Sequence, residues 1–229
     1  MPWCNQRDVK RIASALLFDF DHTLGTDGRL EERVLRGLAI RYCQRAPTDA
    51  EIASALEEFR CGHLALDAMV EEAVAAWGGH GAPIIAQEYR AVAVALVPSS
   101  VVPMPGAHEL FALLADRGVR HAIFSNGWSE LQAAKAAAIG YPGRVITSEE
   151  VGAWKPDAAG FLRAAALMGF DTSTTLYVGD SPVSDIAGAK GAGMLAAWAD
   201  LEGKHYPTDV VKPDHIITWL PDIIALVEA

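Results

Sequence analysis

Apolar positions fall along this chain in two textures. From Ile12 to Phe18 they form one short run bounded by the polar turn Gly25-Thr26-Asp27-Gly28, which predicts a buried strand. From Glu31 to Val97 they recur at helical spacing instead. Val34, Leu35, Leu38, Ile40 and Tyr42 predict a helix over 31–45, and Thr48 or Asp49 can cap a second reaching about Arg60. A third reads over 64–77, ending at Gly78-Gly79, and a fourth over 83–97, stopped by Pro98. Four helices with no strand between them predict a small bundle inserted after the first strand. After a return linker at 98–106 the pattern alternates. Helices over 106–117, 130–139, 158–168 and 184–192 precede strands at 119–124, 145–146, 175–178 and 194–197; a strand at 215–217 and a helix from about Pro221 follow. Alternation of this kind predicts an α/β fold with a parallel sheet and crossover helices.

The chain's 229 residues suit one large domain or a core with a modest insert, and 51% of them are apolar, ample for a packed interior. The net charge of −10 argues against nucleic acid or an anionic membrane as partner. It leaves room for a small anionic substrate where the site supplies local positive charge. Cys4, Cys43 and Cys61 are odd in number and form no C-x-x-C pair, as expected of incidental thiols in a reducing compartment. The run at 13–18 leads into two acids rather than a small-residue cleavage site, and the apolar stretch 91–97 falls short of the ~20 residues a membrane span needs. The expectation is a cytoplasmic monomer or homodimer.

Four apolar runs end on residues that phosphate chemistry can use. The first reaches Asp19-Phe20-Asp21-His22-Thr23-Leu24, and 122–124 reaches Ser125-Asn126-Gly127. Lys155-Pro156-Asp157 follows Val145-Ile146 by a short loop; 176–178 reaches Gly179-Asp180, with Asp185 five residues later. In an open parallel sheet the carboxyl ends of neighbouring strands face one crevice. There Asp19 can attack phosphorus, and Asp21 can serve as acid and then base if its pKa is raised nearby. Ser125 and backbone N–H groups can cradle a phosphate, and Lys155 can neutralise its charge. Asp180 and Asp185 suit a hard divalent cation. With Asp19 and Asp21 ionised as well, the set carries about −3 against Lys155, which Mg²⁺ would offset. Taken singly, each motif also reads as a polar turn, a helix cap or a solvated lysine.

Other signals carry less. The glycine-rich 188–193 lacks the Lys-Ser/Thr ending of a nucleotide loop and reads as close packing of a helix on the next strand. The seven histidines form no H-x-x-x-H pair, so zinc is not expected, and His22 reads as a loop residue.

Taken together and in order, Asp19-Phe20-Asp21-His22-Thr23-Leu24, Ser125-Asn126, Lys155-Pro156 and Gly179-Asp180 with Asp185 resemble the four motifs of the haloacid dehalogenase-like hydrolase superfamily. His22 stands where that family often has glycine. The resemblance implies a Rossmann-like core over 1–27 and 104–229, with 28–103 as a helical cap of the type-one kind. It implies Asp19 as nucleophile and Mg²⁺ ligand, and Asp21 as acid/base lending its backbone carbonyl to the metal. Ser125 and the Asn126 backbone would hold the phosphoryl group, Lys155 would stabilise its charge, and Asp180 and Asp185 would complete the metal site.

Within the family, Asp21 speaks for phosphoryl transfer, because dehalogenases lack the second aspartate. No lysine lies between Lys10 and Lys135, which removes the phosphonatases with their cap lysine. The stretches 125–132 and 147–152, with Trp198 after the fifth strand, resemble 5′-nucleotidases and sugar-phosphate phosphatases. A phosphatase of small phosphorylated metabolites is therefore expected, with a sugar phosphomutase or a non-catalytic binding protein as alternatives. Arg60 and His63, flanking the turn at Cys61-Gly62, can meet the leaving group or simply be solvated.

Overall fold

In the computed structural model, which describes residues 13–80 and 82–228, the first strand β1 (Ala15–Phe18) is buried along its length. Cys4 and the expected strand start at Ile12 lie outside the described residues. Alternate side chains of β1 enter different apolar clusters: Leu16 and Phe18 one, Ala15 and Leu17 the other. Both faces of the sheet are thus covered, which is why its strands read as unbroken apolar runs rather than as alternation.

A two-residue strand β2 (Gly25–Thr26) leads into four helices: α1 (Leu30–Tyr42), α2 (Asp49–Arg60), α3 (Leu66–Ala76) and α4 (Ala82–Ser100). Helix α2 opens on a reciprocal cap in which Thr48 Oγ1 accepts from Glu51 N and Glu51 accepts from Thr48 N. Pro98 does not stop α4. It is exposed in the last turn, while buried Val97 and Val101 hold that turn on the core and Val101 N still donates to Val97 O. The expected return linker is correspondingly shorter, and it contains β3 (Val102–Pro103), which pairs antiparallel with β2. The segments leaving and re-entering the sheet region therefore run together as a small ribbon.

Beyond β3 come α5 (Ala107–Asp116), β4 (His121–Ser125), α6 (Ser129–Ala138), β5 (Arg144–Thr147), the short α7 (Ser148–Val151) and α8 (Ala158–Met168). Next are β6 (Thr175–Gly179), a π-helical turn over Pro182–Ala187, α9 (Gly188–Gly191), β7 (Leu195–Ala199) and β8 (His215–Ile217). The expected helix over 184–192 is thus a π turn joined to a short α-helix. The closing element is a 3₁₀ segment, Leu220–Leu226. Gly188 itself packs against Phe161 of α8 and against Pro156, while α9 meets the next strand through Ala189, which shares a cluster with Ala196 and Trp198. Trp198 lies within β7 rather than after the strand.

The six-stranded sheet runs β5-β4-β1-β6-β7-β8, and every pairing in it is parallel. From β1 the chain builds one edge (β4, β5) and then returns to build the other (β6, β7, β8). The order therefore reverses at β1, where an α/β sheet opens its crevice. One apolar cluster continues from the sheet through α5 into the α1–α4 bundle.

Candidate active site

Register decides what meets at the crevice. Phe18 is level with Ile123 of β4 and Val178 of β6, so Asp19 leaves the sheet one residue beyond the pairing, and Ser125 and Asp180 two beyond. Asp19 N donates to Val178 O, which fixes the start of the following loop. That loop turns through His22 at φ 57°, the left-handed region glycine enters without penalty. The exposed His22 ring closes on Glu202 instead (3.1 Å).

Lys155 is the hub. Its Nζ donates to Asp19 Oδ1 (2.6 Å), Asp185 Oδ1 (2.7 Å) and Tyr177 Oη (2.9 Å). The lysine is 5% exposed, and Asp185 is fully buried. Burial works against the charge on Lys155, but the two carboxylates hold its pKa above the ordinary lysine value. For Asp19, burial pushes the carboxyl up, against the pull of Lys155 and with the help of Asp185. Asp185 owes its position to Gly179, because a Cβ there would stand 2.4 Å from the Asp185 carboxyl carbon. Ser181 N donates to the other Asp185 oxygen (2.9 Å). Asp180 accepts from Lys204 (2.9 Å), and burial and Asp19 push its carboxyl up against that lysine.

Ser125 is buried beside this group, its Oγ turned to Asn126 O (3.4 Å). The Asn126 side chain orients the loops: Oδ1 accepts from Lys155 N (2.8 Å), and Nδ2 donates to the carbonyls of Lys155 (3.1 Å) and Arg60 (3.3 Å). Its third bond joins the crevice to the end of α2.

Asp21 stands apart from the Lys155 hub. Both its oxygens accept from Lys135 Nζ (2.5 and 2.8 Å), which also reaches Asp27 (3.0 Å). Burial in the crevice, with Asp27 and Asp19 near, raises the Asp21 carboxyl's pKa against the pull of Lys135. Lys135, Lys204 and Asp27 add two cations and one acid to the expected set, so the site carries about −2 rather than −3. Lys135, Tyr177 and Glu31 belong to none of the sequence motifs, yet all three bond to charged groups around the crevice. Lys135 left a legible sign, since it falls four residues after buried Leu131 on the apolar face of α6.

A cavity of about 380 Å³ opens above these groups. Its floor includes Asp19, Asp21, Ser125 and Lys155; its far wall includes Glu31 and Arg60 from the helical bundle. Arg60 donates to buried Glu31 (3.3 Å), which Tyr89 also meets (3.3 Å). His63 pairs with Glu58 and does not line the cavity. The wall is seated by Phe59, edge-on to Trp154 at 5.1 Å, and by Gly62, where a Cβ would strike the Trp154 indole at 2.7 Å.

Asp19, Asp180 and Asp185 offer carboxylate oxygens all within 4.8 Å of one another. Three hard oxygen donors beside this cavity fit Mg²⁺, which takes few carboxylates and keeps waters or substrate oxygens for the rest. Asp21 is not among these carboxylates; only its backbone carbonyl is expected at the metal.

The match to the haloacid dehalogenase-like hydrolase family runs over residues 13–193, and the chain belongs to that family: it is an enzyme of the hydrolase class. A phosphoserine phosphatase of Thermus thermophilus is 31% identical over 219 residues, 81% of this chain and 88% of that protein. The pyrimidine 5′-nucleotidase YjjG of Escherichia coli is 36% identical over 122 residues, 51% of each chain. The solved HAD-hydrolase YfnB of Bacillus subtilis, bound to magnesium, superposes with a TM-score of 0.69 at 22% identity, over 95% of this chain and 99% of its own. At that identity the superposition speaks for the fold. No helix among the described residues is long and apolar enough to cross a membrane.

Proposed function

We propose that this chain is a Mg²⁺-dependent phosphatase of small phosphomonoesters, nucleotide or sugar phosphates, working through a phospho-aspartate on Asp19. The observation that carries the reading is the convergence of Asp19, Ser125, Lys155, Asp180 and Asp185 in one crevice from three neighbouring strand ends, a loop and the π turn. A cavity of about 380 Å³ is of the size that small-molecule sites use. Residues 28–103 serve as the cap over a core of 1–27 and 104–229, and the β2–β3 ribbon with Gly25 is its hinge.

An Asp19 carboxylate oxygen attacks phosphorus, and the bond to the leaving oxygen breaks with its electron pair. Asp21 delivers a proton to that oxygen, a role its raised pKa favours. Lys155 turns from Asp19 toward the phosphoryl oxygens and offsets their charge, while Ser125 and the Asn126 N–H donate to them. In the second half Asp21 takes a proton from water as that water attacks phosphorus, and the Asp19–phosphorus bond breaks to restore the carboxylate. Magnesium, when bound by Asp19, Asp180 and Asp185, supplies positive charge that lets a dianion approach these acids and polarises a phosphoryl oxygen.

The test is phosphate release from p-nitrophenyl phosphate and a panel of phosphorylated metabolites, with Mg²⁺ present. Asp19→Asn is expected to abolish turnover while melting as wild type does. Steady turnover by that variant would exclude Asp19 as nucleophile, and a wild type inert across the panel would overturn the phosphatase reading.

A further inference from the structure

Lys135 is 2% exposed, and it is bound by two acids that stand on either side of β2. A lysine this deep survives as a cation only when its donors are matched. Asp21 belongs to the loop after β1. Asp27 belongs to the segment between β2 and α1, and it works in two directions at once. Its Oδ2 accepts from Lys135 (3.0 Å), and its Oδ1 accepts from Arg29 N (3.1 Å) and Leu30 N (3.4 Å) at the start of α1. The ammonium also sits 5.1 Å from the centre of the Phe20 ring, whose edge abuts Gly25 of β2. Helix α6, which carries Lys135, packs along α4 of the bundle. The chain Asp21–Lys135–Asp27–α1 is therefore a continuous polar link from the crevice to the first helix of the bundle.

We propose that Lys135 is a positioning residue for the reaction: it holds the Asp21 carboxylate at a place set by the start of α1. This rests on the phosphatase reading, in which Asp21 protonates the leaving oxygen. Where the bundle sits then decides whether Asp21 faces that oxygen. A lysine serving the fold alone would have no such selective effect, and leaving-group ability separates the two roles. An ester whose leaving group departs as a stable anion needs little help from an acid; a more basic leaving oxygen needs it fully.

The experiment compares kcat/KM for p-nitrophenyl phosphate and phenyl phosphate, aryl esters whose leaving oxygens differ in basicity, in wild type, Lys135→Met, Lys135→Arg and Asp27→Asn, each variant being read against wild type on the same ester. Asparagine keeps an amide oxygen that can accept from Arg29 N and Leu30 N, so the last variant removes the charge partner while keeping the bonds at the start of α1. Lys135→Met and Asp27→Asn are expected to lose roughly ten times more on phenyl phosphate than on the nitrophenyl ester, and Lys135→Arg to recover most of that difference. If Lys135→Met fails to fold, Asp27→Asn carries the same comparison with the lysine in place. Equal losses on both esters, or no loss in Asp27→Asn, would overturn the assignment and leave the phosphatase reading standing. A wild type inert toward both esters would overturn that reading, and this inference with it.

Discussion

Gly179→Ala isolates the most tightly specified contact in the site. Gly179 ends β6, and a Cβ built on it would lie 2.4 Å from both Cγ and Oδ2 of Asp185 and 2.6 Å from its Cβ. Ordinary contact begins near 3.4 Å, so the carboxylate must retreat by about 1 Å. It cannot do so freely. Asp185 is fully buried, its Oδ2 accepts from Ser181 N at 2.9 Å, and its Oδ1 meets Lys155 at 2.7 Å. Retreat stretches both bonds and moves Lys155 relative to Asp19. Overpacking of this kind costs about 1–3 kcal/mol of stability, and misplacement by ~1 Å at a reacting centre costs on the order of 10²-fold in rate. The assay is kcat and KM on p-nitrophenyl phosphate over a Mg²⁺ titration, beside a thermal melt. The control is Gly191→Ala on α9, where an added Cβ meets nothing within 4 Å. We expect Gly179→Ala to lose about 100-fold in kcat with a weakened response to Mg²⁺, and the control to keep wild-type activity. A Gly179→Ala enzyme within twofold of wild type would refute the claim that Asp185 is held in place by the missing side chain.

EDTA should silence the enzyme and Mg²⁺ restore it; full activity in chelator would remove the metal from the mechanism. Phe59→Ala deletes a side chain 3% exposed that seats the cavity wall on Trp154, so a loss of about 3–5 kcal/mol is expected in denaturant melts, with KM raised more than kcat is lowered. An unchanged KM would detach that contact from substrate binding. Asp214 is an acid-range stability group. Partial burial opposes its charge, but Lys190 (2.8 and 2.9 Å) and Ala196 N (2.8 Å) outweigh it and lower its pKa. Its stabilising effect is full above the unfolded aspartate value near ~3.9 and fades as pH falls through the lower folded value. The stability gap between wild type and Asp214→Asn should therefore close below about pH 4, and a gap constant down to pH 2 would contradict the pairing.

What could be read from the sequence follows from covalent neighbourhood and periodicity. The strands are short unbroken apolar runs because both sheet faces are covered, and α2 starts at Thr48 because threonine and Glu51 cap each other. The order of Asp19, Ser125, Lys155 and Asp180 at strand ends and loops was legible because a parallel α/β sheet gathers those ends. Local rules failed where packing decided. Pro98 is tolerated because its neighbours Val97 and Val101 are buried. Gly188 answers to Phe161, 27 residues earlier in the numbering.

The chain by itself therefore determined the class of fold and which residue types stand at the crevice, since these depend on pattern and on the fixed handedness of parallel crossovers. The tertiary structure alone decided the ion pairs among them. A hydrogen bond forms over a few ångströms, and Lys135 lies more than a hundred residues from both Asp21 and Asp27. Only the packing of α6 against the first loop and the start of α1 brings those charges together. The same distance law gives Lys155 its three partners and turns the Asn126 side chain to bridge Lys155 and Arg60.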